Sequence, residues 1–136
     1  MFSMVILFDQ YHLPEDVYEV IFATEQQVTV GRMLIDELKE HDGEMGKTEM
    51  SVFANKLHEG ITIEIQEAVG PVKRKKQIRI SYNKRQFYDR ILTPMKGMGM
   101  IDYDMYNKKY RLSDSFNASM LKIGRMWLQE VQKKAI

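Results

Sequence analysis

The densest chemistry in the sequence lies between residues 72 and 90. There Lys73, Arg74, Lys75, Lys76, Arg79, Lys84, Arg85 and Arg90 stand against one acid, Asp89. Ammonium and guanidinium groups gathered this closely neutralise phosphates, and such clusters supply most of the sequence-independent affinity for nucleic acid. Within the stretch, Asn83, Lys84, Arg85 and Gln86 are consecutive, and Arg90 follows one helical turn on. Arg and Lys match the O6/N7 edge of guanine, and Asn and Gln match N6/N7 of adenine. A third group, Lys108, Lys109 and Arg111, suits a phosphate backbone or a minor groove. The plainer reading of each group is a charged face kept in water.

Catalytic and metal-binding patterns are weak by comparison. His12, His41 and His58 are scattered, and none has a partner at the i,i+4 spacing of a helical zinc pair. Gly97-x-Gly99 lacks the third glycine and the strand-to-helix setting of a dinucleotide loop. There is no Gly-x-Ser-x-Gly elbow and no phosphate-binding Gly-Lys-Ser/Thr. With no cysteine, thiol catalysis, thiolate metal sites and disulfides are excluded. The expectation is a protein that is not an enzyme and needs no cofactor.

Several elements must position the basic groups. Pro14 followed by Glu15 and Asp16 suits a helix start, and Thr24 with Gln27 makes a capping-box pair before a stripe of Val30, Met33, Leu34 and Leu38. That helix should end around His41–Gly43, with a turn over 42–46. Thr48 is then placed to cap a helix holding Val52, Phe53 and Leu57, which Gly60 ends. Ile61, Ile63 and Ile65, and later Ile78 and Ile80, alternate with polar residues around Gly70-Pro71. This predicts an extra β-hairpin over 61–80, with a short helical piece at 66–69 as the other reading. Asn83 and Gln86 open the next helix, in which Tyr88, Ile91, Leu92 and Met95 share a side; Pro94 predicts a kink or an early end. Two short strands, 100–104 and 109–113, flank a turn. Tyr103, Tyr106 and Tyr110 are read as core or cross-strand residues, and Met95, Met98, Met100 and Met105 as fillers of irregular core space. A last helix, about 115–133, spaces Phe116, Met120, Ile123, Trp127 and Val131 by four, three, four and four.

The run Met95-Lys96-Gly97-Met98-Gly99-Met100-Ile101-Asp102-Tyr103-Asp104, then Lys109-Tyr110-Arg111-Leu112-Ser113, resembles winged helix-turn-helix proteins of the MarR-like and ArsR-like kind. Tyr88, Leu92, Met95, Gly99 and Met100 follow the family's spacing. The segment 48–57 is similar to the preceding helix, with Ala54 at its close-packing position. The resemblance covers residues 25–115 and departs from the family at 60–81, where a turn of a few residues is usual. It implies an α+β winged helix-turn-helix with flanking N- and C-terminal helices. Asn83, Lys84, Arg85, Gln86 and Arg90 would sit at the recognition helix, Lys73–Lys76 on flanking phosphates, and Lys108, Lys109 and Arg111 on the wing. Terminal helices of such proteins often pair across a two-fold axis, which would put Phe116, Met120, Ile123, Trp127 and Val131 in a homodimer contact.

At 136 residues the chain suits one domain, with 1–24 as an N-terminal arm and 114–136 as the dimerisation helix. The apolar start, Met4–Phe8, is far short of the ~20 residues that span a bilayer and follows no basic segment, so neither a membrane nor secretion is expected and the cytoplasm is. The formal charge of +1 hides an asymmetry. Residues 1–46 hold ten acids against two bases, 47–71 four against two, and 72–136 five against sixteen. Cancellation between an acidic N-terminal part and a basic reading head points to a polyanion partner. The expected function is sequence-specific binding of double-stranded DNA by a dimeric transcriptional regulator. The alternatives are a plasmid or phage protein that marks a centromere or origin for partition or replication, and a winged-helix assembly module that works through the acidic part on a protein partner.

Overall fold

The computed structural model describes residues 8–135, so the expected arm is seen only from Phe8 onward and residues 1–7 lie outside the described part. The elements in chain order are α1 (Val17–Ile21), α2 (Glu25–Glu40), β1 (Glu44–Gly46), α3 (Lys47–Glu59), β2 (Ile61–Val69), β3 (Val72–Ile80), α4 (Lys84–Phe87), α5 (Thr93–Gly97), β4 (Ile101–Asp104), β5 (Lys109–Leu112) and α6 (Ser115–Gln132). A π-helical turn, Tyr88–Leu92, joins α4 to α5 in one helical body. The fold is mixed α+β with two small antiparallel sheets, one in the order β1-β5-β4 and the other the β2–β3 hairpin.

The core forms where three helices meet the three-stranded sheet. Val30, Leu34 and Leu38 come from α2 and Met50, Phe53, Ala54 and Leu57 from α3, while Phe87, Ile91, Leu92 and Met95 come from the α4–α5 body. Met45, Ile101 and Tyr110 close it from the sheet. Burying large apolar side chains stabilises by about 1.5–3 kcal/mol each, so this shared core is what holds the helices in place. Phe87 is fully buried and meets Phe53 and Tyr88 edge-on, with ring centroids 5.7 and 5.4 Å away. Gly31, an apparent weak point in α2, lies under the Phe22 ring; a Cβ there would stand 2.5 Å from it.

Two local expectations change, at the α3 cap and at Pro94, and the expected hairpin over 61–80 forms. Helix α3 begins at Lys47, and Gly46 rather than Thr48 occupies the cap; the Gly46 N–H donates to the Glu49 carboxylate at 3.1 Å. Residues 66–69 are strand, because β2 and β3 pair in register from Ile61↔Ile80 to Val69↔Val72. The helix does not stop at Pro94. The Thr93 N–H donates to the Tyr88 carbonyl, one residue further back than in an α-helix, and this wider turn precedes the proline, which then sits in the first turn of α5. The helix ends in a Schellman arrangement: Gly99, at φ +86°, donates to Lys96 O, and Met100 donates to Met95 O at 2.9 Å.

Candidate nucleic-acid interface

The α4 N-terminus is fixed from two directions. Asn83 Oδ1 accepts from the Gln86 N–H at 3.1 Å, and the Lys84 N–H donates to His58 Nδ1 at 3.1 Å, which ties the start of α4 to the end of α3. The Tyr82 N–H donates to Leu57 O at 2.8 Å, and the Tyr82 side chain is buried. Asn83 is therefore engaged as the cap. Lys84 is half-buried, with Nζ 3.5 Å from Ser51 Oγ. Arg85, Gln86 and Arg90 are exposed; Arg85 has an i,i+4 partner in Asp89 at 3.8 Å. These three, on a helix start whose Lys84 and Gln86 amides are already engaged, are the side chains available to base edges or phosphates.

The hairpin rises from the same junction. Gly60, at φ +114°, turns the chain out of α3, and a Cβ there would collide with the Arg79 guanidinium at 2.6 Å. Arg79 Nη2 donates to Glu59 O at 2.6 Å, and Ser81 Oγ donates to His58 O at 3.2 Å. Ile61 and Ile80 pack on the core, whereas residues 72–77 are exposed. Nine residues per strand give an arm about 30 Å long at ~3.3 Å per residue. Because side chains alternate across a strand, Lys73 and Lys75 share a face with Arg79, and Arg74 and Lys76 share the other with Ile78 and Ile80. The basic run is thus split over both faces of an arm. It stands about 16–26 Å along β3 from Ser81, away from Arg85 and Gln86 rather than beside them.

The third basic group is largely neutralised. Lys109 Nζ and Arg111 Nε lie 3.0 and 3.1 Å from the two oxygens of Glu44 on β1, and Arg111 Nη2 lies 3.1 Å from Asp104. The bond from Lys109, and then its charge, hold Glu44 below the usual carboxylate range. Asp104 is lowered chiefly by the Asn107 side-chain and backbone donors. Lys108 is exposed in the turn at φ +52°. Beside it Tyr106, 98% exposed, extends from the same turn, so it is neither a core nor a cross-strand residue. Tyr103 and Tyr110 do pair across strands, with centroids 4.6 Å apart.

Helix α6 carries the predicted apolar stripe, and no residue of it is buried. Phe116 is half-buried, while Met120, Ile123, Trp127 and Val131 are exposed, as are Leu121 and Leu128 beside them. On the acidic side, Met33, Phe53, Ile61 and Ile63 line a groove of about 480 Å³ together with Asp36, Glu37, Glu40 and Glu59 and one base, Lys56. No helix among the described residues is long and apolar enough to cross a membrane. Among those residues, no three His, Asp or Glu side chains gather as a metal site. No protein-family model matches the chain, and neither a curated protein nor a solved structure matches it.

Proposed function

We propose that this chain is a winged-helix protein that binds double-stranded DNA as a homodimer and regulates transcription in the cytoplasm. The observation that carries the reading is a firmly anchored helix start with Arg85, Gln86 and Arg90 exposed, with an arm of exposed Lys and Arg rising from the same junction. The order α2, β1, α3, α4–α5, β4, β5 with a β1-β5-β4 sheet supports it, since a winged helix arranges a reading helix and a strand hairpin in this way. In this reading α4 enters a major groove and the Lys73–Lys76 arm reaches phosphates some way along the duplex. Lys108 and Tyr106 follow the backbone, while Lys109 and Arg111 mainly hold the sheet to Glu44.

Selection of bound duplexes from random DNA by the intact protein tests it. A recovered motif that Arg85→Ala with Gln86→Ala abolishes would support the reading. Recovery of no duplex would favour the assembly alternative, for which the acidic groove is the specific observation. A regulator and a partition or replication protein share this chemistry and differ in where the recovered motif occurs: before genes for the former, in arrays at an origin or centromere for the latter.

A further inference from the structure

We infer that two copies of the chain pair through α6 in antiparallel orientation, crossing where Trp127 of each copy lies over the partner's Gly124. The inference deepens the dimeric part of the function proposed above, and it is read on the protein alone, so its failure is separable from failure of the DNA reading. At 100° per residue, Ile123, Trp127, Met120, Val131, Leu128 and Leu121 share one arc of about 160°. They are 42–67% exposed, the extremes being Met120 and Trp127. With roughly 100 Å² of each large side chain in water, the arc offers on the order of 600 Å² per copy. An ordinary monomer's largest apolar patch is about 300–600 Å², and a standard interface takes about 800 Å² from each partner.

Gly124 is the second observation. It lies in the middle of this arc, inside a long exposed helix, where glycine is the least favourable residue after proline. A Cβ at 124 would meet nothing within 4 Å in its own chain, so internal packing does not require glycine there. Close approach of another helix does require it. An antiparallel pair centred between residues 125 and 126 sets Trp127 on Gly124, the largest side chain on the smallest, and Met120 on Val131 and Ile123 on Leu128, each twice. A lipid surface would use the apolar arc but gains nothing from the glycine.

The natural chain has one tryptophan and no cysteine, which makes the test clean. At about 50 μM, above the micromolar range of weak interfaces, sedimentation should give twice 16.1 kDa. Trp127 emission should shift to longer wavelength on dilution. Gly124→Leu should weaken association at least tenfold while leaving the melting of the dilute monomer unchanged or higher, because leucine favours the isolated helix. Oxidation of a mixture of Met120→Cys and Val131→Cys chains should give a cross-linked pair that Met120→Cys alone does not. A monomer at this concentration overturns the inference, whether or not it binds anionic vesicles. So does a Gly124→Leu protein that associates like the natural one, or a Met120→Cys protein that links to itself as fast as the mixture does.

Discussion

In the proposed function, single side chains divide into those that would read DNA and those that hold the helix start in place. Arg85 is exposed at the helix start, and its loss should cost about 1–3 kcal/mol of binding and relax base preference at one position. Asn83→Ala acts on the fold instead: loss of the cap should lower unfolding stability by about 1 kcal/mol, measured in urea. Glu44 holds Lys109 and shares Arg111 with Asp104, so Glu44→Gln should release Lys109, loosen Arg111, tighten duplex binding and steepen its dependence on salt. Ionisation also ties stability to pH. Glu44 and Asp104 are lowered in the folded state, so their contributions are present above their ordinary values of 4.5 and 3.8 and fade as pH falls through the lowered ones. His41 behaves in the opposite sense. It is raised first by the Glu37 carbonyl, 2.8 Å from Nδ1, and then by Glu49, whose carboxylate lies 3.0 Å from Nε2. Its contribution is complete below 6.5 and is lost as pH rises through the raised value. Urea midpoints of the natural protein and His41→Gln should therefore differ at pH 5.5 and converge toward pH 9. Parallel curves would contradict this role.

At the scale of elements, the β2–β3 arm and the α4 start stand on one junction but act at a distance from each other. Replacing residues 64–77 by a two-residue turn keeps the Ile61 and Ile80 base and should leave the protein folded. The footprint on DNA should then shorten on one side of the motif, without change in the bases selected by Arg85 and Gln86. A footprint of unchanged length would place the arm elsewhere. This hairpin was legible in the sequence because strand periodicity shows in Ile61, Ile63, Ile78 and Ile80 wherever one face meets the core. The Asn83 cap was legible for a similarly local reason. Strand β1 was not: Glu44–Gly46 is three residues of turn-like composition that become a strand only because β5 supplies hydrogen bonds from residues 109–111. Nor was the π turn, since Pro94 announces a disturbed helix but not which earlier carbonyl shifts partner. The basic groups were visible as types; that Glu44 neutralises two of them depends on a pairing 65 residues apart.

Over the whole molecule, the acidic and basic parts of the sequence are only partly separate in space. Glu44 enters the β1-β5-β4 sheet, whereas Asp36, Glu37 and Glu40 rim a groove on α2 and the arm carries Lys73–Lys76 outward. The net charge of +1 is then a sum over distinct faces, and a polyanion would meet the arm and the α4 start rather than an average surface. Paired through α6, two such heads would favour operators with repeated half-sites. The most direct measurement is the affinity of the intact protein for its selected duplex as salt is varied. A steep negative slope of log affinity on log salt is expected. Replacing Lys73, Arg74, Lys75 and Lys76 by serine should reduce that slope by roughly 0.9 for each phosphate that the arm no longer neutralises. No affinity for any duplex at about 50 mM salt, where binding to phosphates is strong, would contradict the proposed function.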